Sequence, residues 1–166
     1  MGNHVGAAPT FEQMDEDPYA HYLHPRLFPT EAAKLREMGE VEYMNQAGHD
    51  AMEWIRAHPG EFLALTLQRF VNFWGGPLHR PRAASGVMLL TLLAACGLWL
   101  NLRTLTTPQR DVIIIPLATY PLIYYIVAYM PRYRAPIDWI LFILVGSLVW
   151  RAISGFRAGR SVESPK

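Results

Sequence analysis

Two stretches of 20 residues without a charged side chain, 83–102 and 112–131, constrain this chain more than any other feature of its sequence. An α-helix rises about 1.5 Å per residue, so each stretch matches a hydrocarbon core of roughly 30 Å. A third run, 137–153, is weaker because it contains two charged residues, Asp138 and Arg151. Both lie near its ends, where such side chains reach interfacial water. The alternative is a buried helical hairpin in a water-soluble protein. Two such runs in so short a chain favour an all-α membrane protein with three transmembrane helices.

Composition narrows the class of protein further. The formal net charge is +1, whereas nucleic-acid-binding domains usually carry a strong basic excess. The single cysteine, Cys96, excludes a disulfide framework, and its apolar neighbours indicate a small packing residue. Residues 1–82 hold 7 basic and 11 acidic side chains, while residues 83–166 hold 8 and 3. We therefore expect an extramembrane segment over 1–82, a transmembrane region over 83–153 and a polar tail over 154–166.

The extramembrane segment is predicted to be small and helical. Repeated glycine and proline predict an irregular loop over residues 1–30. Thr30 is in position to cap a helix over about 31–39. A second helix is predicted over 41–58, and the His-Pro-Gly sequence at 58–60 ends it.

A third helix, over about 61–74, is predicted to be amphipathic. Its apolar face carries Leu63, Leu67, Phe70 and Trp74. Its polar edge carries Gln68, Arg69 and Asn72. Two placements remain open: the helix lies in the membrane interface, or it packs on the preceding helix as ordinary core.

Two prolines interrupt the second uncharged run. Pro116 and Pro121 each lack a backbone donor and tend to kink a helix. Membrane helices tolerate such kinks when neighbouring groups satisfy the freed carbonyls. We expect a bent packing helix here and favour this over a gating role.

The distribution of cations predicts the orientation in the membrane. Three crossings place residues 1–82 and the loop 131–136 on one side, and the loop 103–111 and the C-terminal tail on the other. Near the membrane, the first side carries Arg80, Arg82, Arg132 and Arg134. The second side carries Arg103, Arg110, Arg151, Arg157, Arg160 and Lys166. The excess on the second side predicts a cytoplasmic C-terminus and an extracytoplasmic N-terminal half.

The N-terminal half shows no feature that would carry it across a membrane. It has no basic region followed by a short apolar stretch, which is the pattern of a signal peptide. One interpretation is that the chain is the C-terminal piece of a longer polytopic protein whose earlier spans are encoded separately or upstream. The other is that the topology is inverted and the polar half stays in the cytoplasm. We favour the first.

The order of two segments suggests a family. In residues 46–74, QAGHDAMEWIRAHPGEFLALTLQRFVNFW, a helix ending in Trp-Ile meets His-Pro, and the next helix closes with Arg69 and a Phe-Trp pair. After two spans comes RYRAPI at 132–137, followed by a last hydrophobic helix. Over about residues 40–153 this pattern resembles the C-terminal region of bacterial polyprenyl-phosphate-dependent glycosyltransferases of the GT-C type, the group related to protein mannosyltransferases and aminoarabinose transferases.

The resemblance implies a multi-pass enzyme of the bacterial inner membrane that takes a sugar from a polyprenyl-phosphate donor. Members of this family use an acidic residue in the first extracytoplasmic loop, after the first span, as the general base. No span precedes any acidic residue in the first 82 positions, so this role is not carried over to Glu12, Asp15 or Asp17. We therefore expect no catalytic residue in this chain, which would be inactive alone. Its partners would be the lipid bilayer, the donor lipid and a missing N-terminal portion or partner membrane subunit.

The short loop around Arg132, Tyr133 and Arg134 is the candidate lipid-phosphate site. Guanidinium groups pair bidentately with phosphate, most strongly at a partly dehydrated surface. Contacts with ordinary lipid phosphates, or anchoring of the helix ends, are the alternatives. Asp138 offers a further one, because its carboxylate can pair with one of the arginines and orient the loop.

No metal or cofactor is predicted. Carboxylates and histidines are concentrated in residues 12–24, but their spacing matches no EF-hand, and we interpret this stretch as a solvated acidic loop. Two functions remain: the donor-binding C-terminal portion of a GT-C type glycosyltransferase, or a non-catalytic small membrane protein that acts as an interaction or assembly partner.

Overall fold

A computed structural model describes residues 3–4, 6–10, 12–13, 25 and 28–162, with side chains as far as residue 154. The secondary structure of these residues is helical, apart from an isolated parallel β-bridge between Thr10 and Tyr129. In chain order the helices are α1 (Pro29–Met38), α2 (Glu40–Ala57), α3 (Pro59–Gly75), α4 (Pro81–Asn101), α5 (Thr107–Thr119), α6 (Leu122–Ile126) and α7 (Ala135–Val162). A 3-10 turn, Pro131–Tyr133, precedes α7.

The chain divides into two compact units. The first contains Met1–Phe73 and Leu122–Met130. The second contains Trp74–Pro121 and Pro131–Lys166. Helix α3 crosses from one unit to the other at its last turn, and the stretch containing α6 belongs to the first unit although its flanking residues belong to the second.

The predicted N-terminal helices are present, but the predicted cap is wrong. Helix α1 begins at Pro29, so Thr30 lies inside its first turn and Phe28 occupies the cap position. Proline suits the first position of a helix because its fixed φ is already helical and its missing N–H would have no partner there. Helix α2 ends at Ala57, and the N–H of the following residue, His58, donates to the carbonyl of Trp54 at 2.9 Å.

Helices α4 and α7 form the centre of the second unit and run parallel. Gly97 of α4 meets Leu144 of α7, and the Asn101 amide donates to the Ser147 hydroxyl at 2.8 Å. The contacts therefore advance in the same direction along both helices, as they do in a parallel pair. A Cβ added at Gly97 would lie 2.2 Å from the carbonyl oxygen of Leu144. The two backbones are this close because glycine has no side chain, which is a common feature of membrane helix pairs.

The core of this unit is a single apolar cluster between the helices. Its buried members are Ala94, Ile140, Leu141 and Leu144. Partly buried side chains pack around them: Trp74, Leu90, Leu98, Ile113, Leu117 and Val145. The remaining apolar surface of the pair is exposed, including Leu89, Leu92, Trp99, Phe142, Ile143 and Trp150.

Two helices in the described part of the chain are long and apolar enough to cross a membrane. They are Pro81–Asn101 and Ala135–Ser154, the latter being the first part of α7. These correspond to the first and third predicted spans. The prediction of apolar helices long enough to span a membrane is thus confirmed for two helices, by length and composition.

The second predicted span is not one helix. Helix α5 passes through Pro116 and ends at Thr119, and α6 begins at Leu122 after a turn at Tyr120 and Pro121. Two prolines five positions apart remove two donors from one hydrogen-bond ladder, which interrupts the helix instead of only bending it. Residues 127–130, within the predicted span, are not helical.

Substitution of Gly97 tests the close approach of α4 and α7. Gly97→Ala should lower stability by about 1–3 kcal/mol, because its methyl group has to displace backbone atoms of α7. Gly86→Ala is the matched control, since nothing lies within 4 Å of a Cβ there and alanine favours the helix. Thermal unfolding of both variants in detergent provides the comparison. Equal unfolding temperatures would contradict the packing described.

Candidate functional site

The loop before α7 presents one arginine to the surface. Arg132 lies in the 3-10 turn and is exposed, with its guanidinium carbon 5.7 Å from the centre of the Tyr133 ring. This distance is within the range of a cation–π contact, which orients the guanidinium without neutralising it. Within the part of the chain that the structure describes, no carboxylate forms an ion pair with Arg132. Its charge therefore remains accessible to an anion.

The second arginine of the loop is held inside the unit. The Arg134 side chain is 4% exposed, and its Nε donates to Oδ1 of Asp138 at 2.7 Å. Its Nη1 donates to the carbonyl of Trp74 at 3.3 Å. Arg134 thus joins the first turn of α7 to the last turn of α3, and these bonds hold the loop in place.

The structure therefore separates the roles of the three predicted site residues. Pairing with Asp138, one of the alternatives left open by the sequence, occurs at Arg134. The phosphate prediction needs an accessible guanidinium, and that of Arg134 is enclosed. Arg132 is exposed beside the half-buried Tyr133, whereas Arg134 holds the backbone of the loop in place.

A second polar cluster lies in the first unit, and the sequence did not indicate it. Arg69 of α3 is fully buried, and its Nη1 donates to Oδ1 of Asn3 at 2.8 Å and to the carbonyl of Ile126 at 2.5 Å. The amide of Asn3 donates to the same carbonyl at 3.1 Å. Burial lowers the pKa of Arg69 to about 10, so the guanidinium remains protonated at neutral pH.

The polar edge predicted for α3 is therefore partly wrong. Arg69 and Asn72 are buried, and the adjacent Phe73 is enclosed by the rings of Tyr124, Tyr125 and Tyr129. Leu63, Leu67 and Phe70 are exposed instead. The 3–4 spacing of Arg69, Asn72 and Phe73 marks one helix face in the sequence, but their partners lie far along the chain.

A polar hollow of about 310 Å³ lies between α1 and α2. Glu31 accepts hydrogen bonds from Lys34 at 2.6 Å and from the Tyr43 hydroxyl at 3.0 Å. The Lys34 contact holds the pKa of Glu31 below its usual range, although burial acts in the opposite direction. The carboxylate is thus already engaged by its own helical hairpin, which makes this hollow a structural feature of the α1–α2 pair.

The described residues contain no group of three or more His, Cys, Asp or Glu side chains placed to hold a metal ion. Most of the acidic stretch 12–24, namely residues 14–24, lies outside the described residues. Cys96, expected to be a packing residue, is exposed on α4 among apolar side chains.

No family model matches the chain, and no curated protein or solved structure matches it either. The resemblance to GT-C glycosyltransferases therefore stays a prediction from the residues that carry it.

The Arg134–Asp138 pair can be tested by a double-mutant cycle. Arg134→Gln and Asp138→Asn should each destabilise the fold, Arg134→Gln by about 3 kcal/mol, because each leaves a charged partner without its counter-charge. The double variant should lose less than the sum of the two, since the pair is removed together. Unfolding temperatures in detergent measure the cycle. Strict additivity would show that the two side chains do not interact.

Proposed function

We propose that this chain is the C-terminal portion of an integral-membrane glycosyltransferase of the GT-C type, which uses a polyprenyl-phosphate sugar donor in the bacterial inner membrane. The observation that carries the proposal is the exposed Arg132 on a loop that leads into an apolar, span-length helix. A donor phosphate attached to a membrane-dissolved polyprenyl chain meets such a loop at the depth of the headgroups.

The exposure of the long helices supports a membrane environment. In the most apolar 18-residue window of each helix, only 17% of the residues are buried in α4 and only 22% in α7. A core helix of a water-soluble protein would be mostly buried. Large exposed apolar surfaces on a folded chain call for another apolar phase, and lipid hydrocarbon fits the length of both helices.

The parallel arrangement of α4 and α7 supports three crossings. Two parallel spans enter the membrane from the same side, so the chain between them has to return across it. Helix α5 has 13 residues and extends about 20 Å, short of a hydrocarbon core of roughly 30 Å. Residues 120–131 would complete the return crossing.

The exposed face of α3 supports an interfacial position for this helix. Leu63, Leu67 and Phe70 lie on one face and are exposed, while the opposite face carries the buried Arg69. Helix α3 ends at Gly75 and α4 begins at Pro81, so α3 ends close to the start of a span. An amphipathic helix next to a span is suited to the boundary between water and lipid.

The charge pattern supports an orientation and a division of labour. Arg80, Arg82 and Arg132 stand at the end of the parallel pair where α4 and α7 begin, and we place that end outside the cytoplasm. In the proposal, Arg132 and Tyr133 bind the phosphate, Arg134 positions them through Asp138, and the acidic general base comes from an upstream portion or partner subunit.

Binding of a polyprenyl phosphate to the full chain in nanodiscs tests the proposal. Arg132→Gln should weaken binding about tenfold, because it removes a charge-assisted hydrogen bond. Arg134 is left unchanged, since its substitution would disturb the fold. Native mass spectrometry with undecaprenyl phosphate as the probe gives the ratio of bound to free protein.

The control variant is Arg103→Gln, an exposed arginine after the other end of α4, which should bind as the parent does. Phosphatidylglycerol serves as the control lipid. Equal weakening for both lipids would identify Arg132 as an ordinary headgroup contact and contradict the donor site. A chain that binds no polyprenyl phosphate at all would favour the non-catalytic assembly partner.

A further inference from the structure

The interrupted stretch between α5 and α7 leaves the backbone carbonyl at the end of α6 in need of a hydrogen-bond donor. Helix α6 ends at Ile126, and the backbone after it is not helical, so the Ile126 carbonyl has no donor in the next turn. The last carbonyls of every helix need partners from outside the helix. In water these are solvent molecules, but in a lipid environment the protein itself has to supply them.

Side chains distant in the sequence supply this partner. Arg69 and Asn3 both donate to the Ile126 carbonyl, and Arg69 also donates to Asn3. The three groups form a closed triangle of hydrogen bonds. A positive charge at the C-terminal end of a helix is favourable, and a charged donor gives a stronger hydrogen bond than a neutral one.

The N-terminal residues also supply a hydrogen-bond acceptor for Tyr129, three positions after Ile126. The N–H of Tyr129 donates to the carbonyl of Pro9 at 3.0 Å, within the parallel bridge that pairs Thr10 with Tyr129. Thr10, Ala128 and Tyr129 are buried. The Tyr129 N–H is thus paired with the N-terminal segment in place of a helical bond.

We propose that Arg69, Asn3 and Pro9 form a latch that closes the broken helix at Ile126 and so makes the return crossing of the membrane possible. Here the latch means Arg69 and Asn3 on the Ile126 carbonyl, together with Pro9 on the Tyr129 amide. The inference rests on the three-crossing arrangement proposed above. Because Met130 is followed directly by Pro131, the latch also anchors the chain before the Arg132 loop.

Hydrogen exchange in the full chain, reconstituted in nanodiscs, tests the latch. Arg69→Met keeps the length of the side chain and removes its donors. It should speed exchange of peptides covering residues 127–130 by about tenfold or more, the effect of losing a hydrogen bond to a charged group. Arg56→Met, which changes an exposed arginine of α2 in the same unit, is the matched control and should leave exchange there unchanged.

Asn3→Ala gives a second measurement that does not require removal of the buried charge. It should also speed exchange over 127–130, and its effect should be smaller in an Arg69→Met background, because both side chains act on one carbonyl. Unchanged exchange in both single variants would overturn the latch.

Failure of the latch and failure of the proposed function give different results. Arg132→Gln should leave exchange over 127–130 unchanged while it weakens phosphate binding. The role of the latch in a crossing would be overturned if Arg69→Met speeds exchange but residues 104 and 132 are found on the same side of the membrane. The phosphate measurement does not depend on either result.

Discussion

The close parallel packing of α4 and α7 sets the condition that the rest of the chain has to meet. Gly97 allows the backbone of α4 to approach the carbonyl of Leu144, and this contact fixes both direction and register. Parallel helices cannot be joined by a short turn, because the end of the first helix lies at the opposite end of the pair from the start of the second. The connection therefore has to run back along their length, and α5 alone, at about 20 Å, is too short to do so in a helix that spans a bilayer.

Two buried arginines stabilise the irregular backbone that this connection requires. Arg69 donates to the carbonyl that ends α6, and Arg134 ties the first turn of α7 to the end of α3 through Asp138 and a backbone carbonyl. Burial of a guanidinium is costly unless it is hydrogen-bonded, and here Nη1 of Arg69 and both Nε and Nη1 of Arg134 are directed at fixed acceptors. Arg132 differs because it is exposed, and for this reason it is the one we assign to an external anion.

Sequence alone predicted what depends on composition and on near neighbours. The apolar runs around α4 and α7 specify long apolar helices. Asp138 was recognised as a partner for one of the two loop arginines, and in the structure it pairs with Arg134, four positions before it. The burial of Arg69 was missed, since its acceptor at Ile126 is 57 positions away and no local pattern marks it. The break at Pro121 was underestimated as a bend, and the non-helical backbone after α6 was missed because its partners Asn3 and Pro9 lie at the other end of the chain.

Labelling of the span ends from either side of the membrane tests whether the chain returns across it between α4 and α7. Single cysteines at Arg82, Thr104 and Arg132, introduced in a Cys96→Ala background, can be labelled with a membrane-impermeant maleimide in sealed vesicles of known orientation. We expect positions 82 and 132 to be labelled from one side and position 104 from the other. Labelling of 104 and 132 from the same side would show that the chain does not return across the membrane, and the three-crossing arrangement would be wrong.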